Sequence, residues 1–185
     1  MTDLKGMTRL VPRPAASDIN GGLSPLKPAT VIGHLGAPRT TYSQDCRPVT
    51  NPTWKRRIVT ADVGPFNVTG LDVAVRSLAA VMARVKGADP TLYAALETAG
   101  MLCCRLVRGA KHTLSNHSFG CAVDITVGGR LDQRGDGLVQ AGLLRLYAHF
   151  HAEGWYWGAE YPTEDGMHYE LANETFVRLM KGGKR

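Results

Sequence analysis

The chain has 185 residues and a formal net charge of +6, with 44% hydrophobic and 21% charged residues. These values exclude wholesale disorder and suit one domain, long enough to bury a core without disulfide staples. No run approaches the roughly 18–20 apolar residues of a membrane span, and Met1 to Leu10 lack the apolar centre of a secretory signal, so synthesis in the cytoplasm with no stable membrane insertion is expected.

The positive charge is local. Residues 1–60 hold nine Lys/Arg against three Asp/Glu, whereas residues 61–185 hold thirteen of each. A basic flank suits an anionic polymer, a membrane surface or nucleic acid, or is simply a solvated face. The basic residues lie scattered among prolines with little aromatic interleaving, so no nucleic-acid partner is expected. Cys46, Cys103, Cys104 and Cys121 form no CxxC pair. That argues against a cysteine zinc knuckle, and the four read as reduced, mostly buried small hydrophobes.

Residues 1–57 are punctuated by seven prolines and lack periodicity. They read as a loop-rich basic N-terminal extension with a short strand at 29–33; a domain spanning 58–185 follows. Alternating apolar residues around Gly64-Pro65 predict a hairpin over 57–69. Leu71, Val75, Leu78, Ala79, Met82 and Val85 recur at helical spacing and predict a helix over 71–86, capped by Thr69 or Gly70 and followed by Gly87. A second helix is predicted from the Asp89 cap, with Pro90 in its first turn, to about Thr98. Met101–Val107 reads as a buried strand interrupted by Arg105, a charge that calls for an anionic partner. Strands are predicted at 121–127, 155–157 and 167–171. Helices are predicted over 138–152 and from Asn173 to about Met180, with a frayed tail at 181–185. The mixture without βαβ alternation gives an α+β fold with a small, mainly antiparallel sheet flanked by helices.

Two stretches carry chemistry: Ser115-Asn-His117-Ser-Phe-Gly120-Cys-Ala122-Val-Asp124 and Asp165-Gly-Met-His168-Tyr-Glu170. A bend at Gly120 can bring His117 and Asp124 to one point, and His168 on a later strand supplies a third ligand. A His₂Asp set suits one Zn²⁺ and leaves a position for water. Asp165 is three residues before His168, so a bend at Gly166 is required for it to face the same point and act as base. Glu170 shares the strand face of His168 and could orient an imidazole. His34, His149 and His151 read as ordinary surface or core residues.

The pattern SxHxxGxAxD followed by DxxH resembles the zinc D-alanyl-D-alanine carboxypeptidase and L-alanyl-D-glutamate endopeptidase family, which includes cell-wall carboxypeptidases and phage endolysins and shares its core with lysostaphin and the hedgehog N-terminal domain. The likeness covers roughly residues 58–175. It implies zinc ligands at His117, Asp124 and His168, a catalytic carboxylate at Asp165, and an arginine at Arg105, or Arg108, that holds a substrate carboxylate or polarises a carbonyl. Ser115, His112 and Trp157 are the expected substrate contacts. The resemblance implies a monomeric zinc peptidase cutting peptidoglycan stem peptides at the cell wall, released through holin-type pores where no signal peptide serves. A zinc-bearing cell-wall binding domain without activity is the alternative, against which the presence of Asp165 argues.

Overall fold

The computed structural model describes residues 3–182. The lead segment contains α1 (Leu4–Met7), β1 (Leu10–Pro12), α2 (Pro28–Leu35) and α3 (Pro52–Lys55). There follow β2 (Ile58–Asp62), β3 (Asn67–Leu71), α4 (Asp72–Ala88), α5 (Pro90–Tyr93), β4 (Leu96–Gly100), β5 (Ala122–Val127), β6 (Leu138–Gln140), α6 (Ala141–Ala152), β7 (Trp155–Trp157), β8 (His168–Leu171) and α7 (Asn173–Gly182). The central sheet has four antiparallel strands in the order β4-β5-β8-β7. Two small antiparallel ribbons, β2-β3 and β1-β6, flank it. This is the α+β architecture expected.

The core lies between this sheet and helices α4 and α6. Val75, Leu78, Val81, Met82 and Val85 of α4 and Leu143, Leu146 and Phe150 of α6 are fully or almost fully buried. Phe150 stacks on Tyr169 with ring centroids 4.0 Å apart, tying α6 to β8. Truncating a side chain such as Leu78 to alanine would cost about 2–5 kcal/mol. The lead segment joins the same core through Met7, Ile19, Leu26, Val31 and Trp54. Asn20 pins it at one point, with its Nδ2 donating to the Trp157 carbonyl at 2.9 Å and its Oδ1 accepting from the Trp157 amide at 2.8 Å.

Several expectations are corrected. Residues 29–33 are helical, not a strand: Pro28 starts α2, and Gly36, at φ 72°, ends it. Asp89 does cap α5, accepting from the Leu92 amide, but the helix ends at Tyr93. Residues 96–100 form β4 instead, paired with β5. Helix α4 begins after Leu71, one residue beyond the predicted caps, and runs through Gly87. Residues 138–140 are a strand held by Leu10–Pro12 before α6 begins. Residues 101–107 form only isolated bridges, Cys104 to Arg47 and Leu106 to Leu114. Cys46 and Cys103 are disulfide-bonded, with Cα atoms 5.1 Å apart, so the reduced reading holds only for the buried Cys104 and Cys121. Of the tail expected to fray, residues 183–185 lie outside the described residues, and Lys181 and Gly182 continue α7.

Candidate metal centre and its cleft

Asp124 and His168 sit directly opposite each other on β5 and β8, and Ala122 opposes Glu170 two pairs further along. Because side chains alternate along a strand, these four share one face. The hydroxyl of Thr98 donates to the Asp124 carbonyl at 2.9 Å, where β4 departs from regular register. His117 comes from a short 3₁₀ turn, Asn116–Phe119, that leads into β5. Gly120 ends that turn in the left-handed region at φ 56°, and a Cβ there would lie 2.7 Å from the Leu71 amide nitrogen. Both conformation and space therefore demand glycine.

Three donor atoms converge. His117 Nε2, His168 Nδ1 and Asp124 Oδ1 lie 3.2 Å from one another. A tetrahedral zinc ion with bonds of about 2.0–2.1 Å to nitrogen and oxygen sets its ligand atoms about 3.3–3.4 Å apart. The outer nitrogens fix the tautomers. His117 Nδ1 donates to the Met101 carbonyl at 2.9 Å, and His168 Nε2 donates to Glu170 Oε2 at 3.0 Å. Both inner nitrogens then present lone pairs to a carboxylate oxygen, an arrangement that only a proton or a metal cation resolves. The residues present thus fit a single zinc ion. These three are the one metal-ligating cluster among the described residues.

The electrostatics agree. Burial disfavours the Asp124 carboxylate, but hydrogen bonds and charge from the two imidazoles outweigh it and hold the group well below the usual carboxylate range. Burial also pushes the His168 imidazole down, yet Asp124 and Glu170 reverse this and raise it to about 10. Glu170, almost fully buried, is kept ionised despite burial by His168, by Asn116 Nδ2 at 2.7 Å and by the Leu26 amide at 2.9 Å. Asn116 also donates to the Leu26 carbonyl at 2.9 Å. The lead segment therefore grips the carboxylate that orients His168.

Asp165 reaches the same place by a turn. The His168 amide donates to the Asp165 carbonyl at 3.1 Å, closing a four-residue turn that sets the two side by side despite the odd spacing. Gly166 has ordinary backbone angles, so its need is space: a Cβ would clash with Asp132 and sit 2.8 Å from Val139. Asp165 is half-buried, and its carboxyl is pushed upward, chiefly by burial with Asp124 adding to it, against the pull of His168, Arg134 and His117. Arg134 Nε stands 3.7 Å from Asp165 Oδ2.

A cavity of about 790 Å³ joins these groups, lined by the triad together with Asp165, Ser115, Arg105, Arg108 and Arg134. Of the expected substrate contacts, Ser115 lines it. His112 is exposed and outside the lining. Trp157 is corrected: it is fully buried, stacked on Tyr169 and Tyr147, and its Nε1 donates to the Gly166 carbonyl at 2.7 Å. It supports the Asp165 turn from beneath. Among the described residues Arg105 has no carboxylate within ion-pair distance; its Nη1 donates to the Leu106 carbonyl at 3.1 Å. Sequence reasoning passed over Arg134, Asn116 and the Leu26 backbone. Asn116 adjoins a ligand, which is a usable signal. A main-chain group has none.

Two imidazoles and a carboxylate beside a second, half-buried carboxylate are the side chains that hydrolytic metal sites use. Residues 108–171, which carry both motifs, match the family model described as D-alanyl-D-alanine carboxypeptidase, and this supports the zinc peptidase family recognised in the sequence. Neither the curated proteins nor the solved structures give a match.

Proposed function

We propose that the protein is a zinc-dependent peptidase that cuts peptidoglycan stem peptides. The bond is either an L-alanyl-D-glutamate bond, as in endolysin-type endopeptidases, or a D-alanyl-D-alanine bond, as in carboxypeptidases. The observation that carries this reading is the 3.2 Å convergence of His117, Asp124 and His168 beside Asp165. Zinc held by these residues would polarise a carbonyl and lower the pKa of bound water to about 7. Asp165, on the turn before His168, takes the proton of the attacking water and returns it to the leaving amine. Arg105 lines the cleft and pairs with no carboxylate among the described residues, which suits it to steady the developing oxyanion or to anchor a substrate carboxylate. Glu170 fixes the ring of His168 so that its Nδ1 lone pair faces inward.

The test is mass spectrometry of purified peptidoglycan digested with and without chelator and added zinc. Chelator-sensitive release of free D-alanine identifies a carboxypeptidase. New stem-peptide ends at L-alanine identify an endopeptidase. Zinc bound with no cleavage of any wall chemistry would replace this reading with a binding role. Among the described residues no helix is long and apolar enough to cross a membrane.

A further inference from the structure

Three guanidinium groups line the cleft, and they come from two separate segments. Arg105 and Arg108 belong to the stretch that leads to His117, and Arg134 to the loop between β5 and β6. Arg108 and Arg134 lie close enough to disfavour the charge of Arg105. Burial lowers the Arg105 pKa, and Arg108 and Arg134 lower it further, against the opposing pull of Asp124 and Asp165. Among the described residues neither Arg105 nor Arg108 has a carboxylate within ion-pair distance; Arg134 has only Asp165, at 3.7 Å, and its side chain is 43% exposed. Four carboxylates line the same cavity, but Asp124 and Glu170 are engaged by the imidazoles and Asp132 accepts from the Gln140 amide, so the guanidinium groups are left to be paired by what enters it.

We propose that Arg134 is a specificity-determining residue. It takes a free carboxylate of the bound peptide, separate from the group met by Arg105, so that the cleft selects peptides with more than one anionic group. The chemistry is that of a planar fork meeting a carboxylate, for which the Nε edge already turned toward Asp165 is one half. The loose contact with Asp165 keeps the guanidinium beside the cleft before substrate arrives. This deepens the peptidase reading and rests on it for the choice of ligand.

The probes are the synthetic stem peptide L-Ala-γ-D-Glu-L-Lys-D-Ala-D-Ala and its isoglutamine counterpart, which has the glutamyl α-carboxylate replaced by a carboxamide. Binding to the zinc-loaded full chain is read by calorimetry, and kcat and KM are read separately. Wild type is expected to prefer the acid by about tenfold, the weight of one charge-assisted contact. Arg134→Gln is expected to bring the ratio to near one, with the loss in KM, and Arg134→Lys to restore part of it. A ratio unchanged in Arg134→Gln, no preference in wild type, or no binding of either peptide overturns the proposal. Binding with the preference intact but no turnover of either peptide overturns the peptidase reading and leaves Arg134 in its role.

Discussion

The floor and the rim of the cleft are built differently. On the floor, His117 is held by the Met101 carbonyl and His168 by Glu170, both rings meet Asp124 Oδ1, and Glu170 is itself held by Asn116 and Leu26. On the rim, Asp165 has one ion-pair contact among the described residues, at 3.7 Å, with an arginine on a loop. The two aspartates record the difference. Asp124 is held ionised far below the usual carboxylate range, whereas the Asp165 pKa is raised. A carboxylate that must bind a cation gains from neighbours that never let it protonate. One that must accept and return a proton needs an environment that makes protonation easy. The same residue type serves both ends because its surroundings are opposite.

The largest way to break this division is on the floor. His117→Ala, Asp124→Asn or His168→Ala should abolish both zinc binding, read by elemental analysis of dialysed protein, and peptidase activity. Asp165→Asn should separate the poles: zinc stays stoichiometric while kcat falls by about 10²–10⁴-fold. The pH profile sharpens the same point. Because the Asp165 pKa is raised, the base is lost as pH falls through a value above the ordinary aspartate value of about 3.9, so the acid limb of kcat/KM should lie above it. The residual activity of Asp165→Asn should lack that limb. Glu170→Gln should keep the fold and weaken zinc about 10–100-fold in chelator competition. Smallest in its effect on activity, Cys46→Ser should act on stability. The bridge spans 57 positions, for which chain entropy gives about 4 kcal/mol, read as a lower Tm that matches wild type under reductant.

The convergence of His117, Asp124 and His168 was legible because their chemistry is written in side chains at fixed spacing, and the pairing of β5 with β8 then sets Asp124 and His168 together. The α+β class and helices α4 and α6 were legible from apolar periodicity. Strand β4 was not: Leu96, Glu97 and Ala99 are good helix formers that follow a capped helix start, and pairing with β5 makes the stretch extended. The place of Trp157 was hidden because an aromatic run reads alike in a cleft and in a core. Arg134 was hidden because nothing local marks a loop arginine that meets a carboxylate 31 positions away. The Cys46–Cys103 pairing joins two loops whose proximity no periodicity encodes.

The grip of Leu26 on Glu170 and Asn116 bears on how this catalytic unit could be handled as a building block. A chimaera assembled from Ile58 onward would carry every ligand, the base and all three cleft arginines, and would pass any inspection by motif. It would still lack the two main-chain atoms that anchor the partner of His168, and its metal would be loosely seated. For grafting or domain exchange, the useful cut lies upstream of Met7, where the chain first enters the shared interior, so that Leu26 and the strand β1 travel with the ligands.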